Sequence, residues 1–115
     1  RWNMLHPTGK PRLSWVERCL KDQQGPVVAV SDYMKIYADQ IRAWVPQPYT
    51  VLGTDGFGRS DTREKLRHFF EVDRHFVTVA ALKALADGGK MPVEKVAQAI
   101  KKFGINPDKP NPVAI

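Results

Sequence analysis

Two rhythms alternate along the chain: short runs that are apolar throughout, and longer stretches in which apolar residues return every third or fourth position. Val27-Val28-Ala29-Val30 is of the first kind, set between Gly25-Pro26 and Ser31-Asp32. It reads as a strand buried on both faces, the habit of parallel sheets covered by helices. Asp32 then offers an N-cap, and Met34, Tyr37, Ala38, Ile41, Trp44 and Val45 recur at helical spacing until Pro46 stops them. Tyr49-Thr50-Val51-Leu52-Gly53 predicts a second strand. A glycine-bearing loop, Thr54 to Ser60, leads into Asp61-Thr62-Arg63-Glu64, an acid with a glutamate three positions on in capping-box style. Leu66, Phe69 and Phe70 give the short helix behind it an apolar side.

Asp73 starts another helix, in which Phe76, Val77, Ala80, Ala81, Ala84 and Leu85 leave little polar surface before Gly88-Gly89 ends it. So apolar a helix is expected to be sandwiched between other elements. The last helix opens with Pro92 at its first position and carries one stripe of Val93, Val96, Ala97, Ile100 and Phe103, with Lys95, Gln98, Lys101 and Lys102 facing away. Gly104, Ile105 and Pro107 stop it, and residues 106–115, with three prolines, are expected as an extended tail. Leu13, Val16 and Leu20 predict a helix after Pro11, and residues 1–5 read as the end of an element begun upstream.

Strand, helix, strand, helices is α/β order, yet only two strands are strong. Two parallel strands make a poor domain because both edges stay open, so part of the sheet is expected to lie outside these 115 residues. The first residue is Arg and residues 2–5 do not build a signal-peptide core, which reads as an internal start in a longer protein. No apolar run approaches the ~20 residues of a membrane span. One cysteine, Cys19, forms no intramolecular disulfide and is expected as a half-buried, inert thiol, in keeping with a cytoplasmic protein.

The net charge of +6 raises nucleic acid as a partner, so the placement of the charge matters. Residues 1–21 carry +4, residues 22–89 carry −1, and residues 90–115 carry +3. The excess sits at the two ends, without a basic stripe interleaved with aromatics.

Gly53-Thr54-Asp55-Gly56-Phe57-Gly58 lies where a strand meets a helix, the place for a phosphate-cradling loop. Its glycine order is G-x-x-G-x-G rather than the dinucleotide fingerprint, and no P-loop lysine follows, which favours a structural loop. Phe57 between glycines reads as a plug for a neighbouring surface. Arg59, Ser60 and Asp61 are placed to cap, to pair or to hold an anion, with capping the plainer reading. His68 and His75, flanking Glu71 and Asp73, lack the spacing of a zinc site. Ser31 lacks the glycines of a nucleophile elbow.

As a string, Tyr49 to Asp73 (YTVLGTDGFGRSDTREKLRHFFEVD) resembles the C-terminal domain of the homodimeric bacterial pyruvate dehydrogenases, the thiamine-diphosphate-dependent first component of the pyruvate dehydrogenase complex. Arg1 to Pro7 and Ser31 to Lys35 resemble the same family. Transketolases are similar more loosely, through Phe57-Gly58-Arg59-Ser60, Leu66 and Phe69-Phe70. The resemblance implies a three-layer α/β/α transketolase C-terminal-like domain with a mostly parallel sheet. Residues 1–115 would be its C-terminal two-thirds, lacking upstream strands and ending in a flexible proline-rich tail, 106–115.

It also implies oxidative decarboxylation of pyruvate on thiamine diphosphate with magnesium, followed by reductive acetylation of a lipoyl group, with the cofactor held by the preceding domains. The family's cofactor signature is Gly-Asp-Gly with a later Asn pair. Here Thr54-Asp55-Gly56 has a different first residue and Asn111 stands alone, so this stretch is expected to bind neither cofactor nor metal. Its implied partners are the remaining domains of its own subunit, a second copy in a homodimer, and the dihydrolipoyl acetyltransferase core, with neither nucleic acid nor membrane. The candidate interface is the loop Asp55, Gly56, Phe57, Gly58, Arg59 and Ser60. The alternative is a basic binding module, taking nucleic acid or docking the acetyltransferase through Lys101 and Lys102.

Overall fold

A computed structural model describes residues 1–115, and its one sheet pairs β1 (Val27–Val30) with β2 (Tyr49–Leu52) in parallel, Val27 opposite Tyr49 and Val30 opposite Leu52. Before the sheet lie α1 (Trp2–Leu5) and α2 (Trp15–Leu20); α3 (Lys35–Asp39) crosses between the strands; α4 (Arg63–Phe69), α5 (Arg74–Asp87) and α6 (Val93–Lys102) follow. The long helix α5 packs on both strands and on α6, but none of its residues is buried, so it is less enclosed than its composition predicts. The α/β order and both strands are as the sequence indicates, but β1 is not buried on both faces: Val27–Ala29 are half-buried and Val30 is exposed, because the sheet has only two strands.

Helix ends show how sequence sets local structure. Asp73 caps α5, its carboxylate accepting from the amides of His75 at 2.8 Å and Phe76 at 3.0 Å. Ser14 and Glu17 close a capping box on α2: the Ser14 amide donates to the Glu17 carboxylate at 2.7 Å and the Glu17 amide to the Ser14 hydroxyl at 3.2 Å. The Ser14 amide foremost, and then the Ser14 side chain, hold the Glu17 carboxyl below its usual range. Three consecutive helices end in the same paired turn. After α4 the amides of Glu71 and Val72 reach back to His68 and Arg67; after α5 those of Gly89 and Lys90 reach Ala86 and Leu85; after α6 those of Gly104 and Ile105 reach Lys101 and Ile100. Gly89 and Gly104 supply the left-handed residue, at φ of 69° and 64°, but in α4 the position is filled by Glu71 at 62°.

Several expectations are corrected. Asp32 does not cap α3, whose first amide, Lys35, is instead capped by Asp55 from twenty residues downstream, at 3.0 Å. The helix expected to run to Val45 stops at Asp39 and gives way to a 3-10 turn over Arg42–Trp44. Tertiary bonds displace helical ones there: Tyr49 donates its hydroxyl to the Ala38 carbonyl at 2.8 Å, and Arg42 donates to the Tyr49 carbonyl at 2.7 Å while pairing with Asp39. Thr62, not Asp61, is the N-cap of α4; Asp61 accepts from the Thr62 amide one residue earlier. Pro92 sits at the N-cap of α6 rather than inside it, and of the expected stripe Val93 and Ala97 are exposed while Val96 and, outside the stripe, Ala99 are buried. Cys19 is exposed, on a six-residue helix that buries nothing.

Residues 106–115 are anchored rather than simply extended. Lys109, whose side chain is 14% exposed, donates to the Phe69 carbonyl at 2.7 Å and to Glu71 at 3.2 Å. Pro112 is buried, and Pro112–Ala114 form a 3-10 turn capped by Asn111.

Only six of 115 residues are buried. The accessible surface is 8703 Å² and the radius of gyration 17.4 Å, against roughly 6300 Å² and roughly 13 Å for a sealed globule of this mass and length. Trp15, Tyr33, Ile36, Tyr37 and Trp44 remain exposed, and both sheet edges are open.

Candidate functional site

The candidate loop begins where β2 ends. Gly53 is buried because a side chain there would stand 2.6 Å from the Tyr33 carbonyl and 2.7 Å from the Lys35 amide. The next residue ties the two strand ends together, its amide donating to the Tyr33 carbonyl at 2.9 Å and its hydroxyl to that of Asp32 at 3.0 Å. Asp55 spends its carboxylate on the Lys35 amide. Gly56 turns at φ 117° with the Pro112 carbonyl 2.5 Å from where a Cβ would be, so the loop and the C-terminal segment close on each other.

Beyond Gly56 the loop faces outward. Phe57 is 79% exposed. Gly58 has open space around it, and Ser60 is exposed. Arg59 lies over the Phe69 ring with its guanidinium carbon 4.3 Å from the centroid. The amides of residues 55–61 donate to no backbone carbonyl.

Beside the loop is a cleft of about 520 Å³, reaching from Asp32 and Thr54 at the strand ends to Arg59, Arg63 and Arg67. Arg67 pairs with Asp32 at 3.1 Å, while Arg59 and Arg63 have no carboxylate partner. A groove of about 1330 Å³ continues past Arg63 and Arg67 to His68, Arg74, His75 and Lys109. Summing charge along residues 22–89 concealed this cluster, because the acids that balance it in sequence lie partly elsewhere in space.

The histidines are held locally. His68 Nδ1 lies 3.2 Å from Asp73, and the His75 ring stacks on Phe103 at 4.6 Å. No three His, Cys, Asp or Glu side chains gather as a metal site. The residues resembling a thiamine-diphosphate signature do not fit one here: the Asp55 carboxylate caps α3, and the Asn111 side chain accepts from the Val113 amide at 3.1 Å.

A parallel strand pair crossed by α3, followed by α4 and a strand-end loop locked to that crossover, defines an α/β module. The chain belongs to the transketolase-like C-terminal domain family, whose model matches residues 2–73, from α1 to the cap of α5. Over all of its 115 residues it is 63% identical to the pyruvate dehydrogenase E1 component of Cupriavidus necator, and it spans 13% of that protein. It is 63% identical over 114 residues to the protein of that name from Pseudomonas aeruginosa, covering 98% of this chain and 13% of the relative. The Escherichia coli protein of that name is 55% identical over 113 residues, covering 97% and 12%. The chain thus spans about an eighth of the length of these relatives.

Proposed function

We propose that this chain is the C-terminal module of a pyruvate dehydrogenase that decarboxylates pyruvate and acetylates lipoyl groups, and that its own residues position the protein rather than react. The observation that carries this reading is the unsealed surface. An excess of about 2400 Å² over a closed globule exceeds the ~800 Å² that one partner contributes to a standard interface. Such area, with two open sheet edges and exposed Trp15, Tyr37 and Trp44, fits a module built against the rest of its subunit and against a second copy in a homodimer. Thiamine diphosphate and magnesium would then belong to other parts of the polypeptide, and no step of the chemistry is assigned to residues 1–115. The acetyltransferase core would be a partner of the assembled enzyme, and the cytoplasm its compartment. No helix here is long and apolar enough to cross a membrane.

Within this reading the loop Asp55–Ser60 is a contact point, with Phe57 its outermost apolar group. The test is Phe57→Asp in the full-length polypeptide. Because Phe57 touches little inside the module, the substitution leaves the module folded and weakens its seating. Expected are a shift toward monomer in sedimentation velocity and a fall in pyruvate turnover. A variant with wild-type sedimentation and turnover would refute the contact role of the loop, and an intact, active dimer after deletion of the whole module would refute the structural role.

A further inference from the structure

We propose that the cleft at the carboxyl ends of β1 and β2, walled by Arg59, Arg63 and Arg67, binds a phosphate-bearing small molecule. Four observations converge on it. The place is where open parallel sheets present ligand crevices, beyond the carboxyl ends of the strands, and here both strand ends contribute, through Asp32 and Thr54. Its volume, about 520 Å³, lies in the range of small-molecule pockets.

Its charge is unbalanced in a specific way. Three arginines face two carboxylates, Asp32 and Asp61. Asp32 is committed to Arg67, and Asp61 accepts from the Thr62 amide and stands 4.0 Å from Lys65. Arg59 and Arg63 are left as two unpaired guanidinium forks, planar donors whose geometry matches phosphate oxygens. Arg59 is already braced flat on Phe69, and a restrained fork loses less freedom on binding.

Finally, part of the lining is bare backbone, beside the apolar Leu66, Phe70 and Val72. Gly56 and Gly58 line the cleft without side chains, nothing stands within 4 Å of a Cβ at Gly58, and the amides along 55–61 have no backbone acceptor. An anion can therefore approach main-chain donors as well as the two forks. Carboxylate ligands share the arginine chemistry but not the number of acceptor oxygens, so phosphate is the better match to two forks plus amides.

The test uses the full-length polypeptide, loaded with thiamine diphosphate and magnesium and freed of excess, so that any diphosphate pocket elsewhere is filled. The probe is inorganic phosphate, read by saturable broadening of its 31P line at low ionic strength. Arg63→Gln and Arg59→Gln are each expected to weaken binding about tenfold or more, the loss of one charge-assisted contact. Lys101→Gln, a charge removed far from the cleft in sequence, leaves it unchanged. Arg63→Lys keeps the charge without the fork and falls between. The Arg63 side chain makes no hydrogen bond or ion pair within the chain, so its substitution leaves the fold intact, which far-UV circular dichroism checks. Absence of saturable broadening in the wild type, or equal broadening in Arg63→Gln and wild type, overturns the proposal. Malonate displacing phosphate at equal or lower concentration would assign the cleft to carboxylates and overturn it too. No phosphate binding together with a lower unfolding midpoint in Arg59→Gln would mean that an acidic side chain of the same polypeptide fills the cleft.

Discussion

The glycines of the loop give a graded prediction, since they look alike in sequence and differ in what surrounds them. Alanine at Gly53 would put a methyl group 2.6 Å and 2.7 Å from two backbone atoms, neither of which can rotate away. Overpacking of that kind costs about 1–3 kcal/mol. The shift also strains the Thr54 and Asp55 bonds that dock α3, each worth about 1 kcal/mol, for a total of about 2–4 kcal/mol. Gly56→Ala meets the Pro112 carbonyl at 2.5 Å and a φ of 117°, for a similar total of about 2–4 kcal/mol. Gly58→Ala meets nothing within 4 Å and stays within about 0.5 kcal/mol of wild type. Hydrogen exchange by mass spectrometry on the full-length protein separates these effects. Gly53→Ala should speed exchange over residues 35–39, and Gly56→Ala over 112–115, by roughly thirtyfold to a thousandfold. Gly58→Ala should change neither. Equal effects at all three positions, or a silent Gly53→Ala, would refute the steric account of this loop.

Asp55→Ala is expected to cost about 1 kcal/mol through the lost cap on Lys35, with Asp55→Asn retaining most of it; amide exchange at residues 35–38 reports the difference. Glu71 occupies a left-handed position that suits glycine, so in a Lys109→Met background, where its ion pair is gone, Glu71→Gly should raise stability by about 1 kcal/mol; a lower urea midpoint would count against this. The Tyr49 hydroxyl is pushed above its usual range, by burial first and then by the Asp39 carboxylate, with Arg42 opposing. A raised folded-state value means that its contribution is complete below about pH 10 and is lost as pH rises through the folded value. Melting temperature should therefore fall more steeply above about pH 10 in wild type than in Tyr49→Phe, which loses the Ala38 bond at every pH.

The sequence by itself determined the local elements. The apolar run Val27–Val30 reads as a strand of a parallel sheet and Tyr49–Leu52 as a second strand, and the two are paired in parallel, although β1 is only half-buried and Val30 is exposed. Some starts and stops were legible too, as Asp73, Gly89 and Gly104 show, because they depend on bonds between near neighbours, whereas the cap of α4 fell one residue past the expected Asp61. The resemblance carried by residues 49–73 pointed to the family that the comparison confirmed.

Only the tertiary structure decided which carboxylate caps α3, where that helix breaks, and what holds residues 106–115. Each depends on partners far apart in sequence: Asp55 with Lys35, Tyr49 with Ala38, Lys109 with Phe69. The same holds for the arginine cleft. Along the chain Arg59, Arg63 and Arg67 are offset by nearby acids, but folding commits Asp32 to Arg67 and Asp61 to the Thr62 amide, and leaves the other two arginines unpaired. Charge adds along a sequence without regard to distance, whereas Coulomb attraction and hydrogen bonding act within a few ångströms.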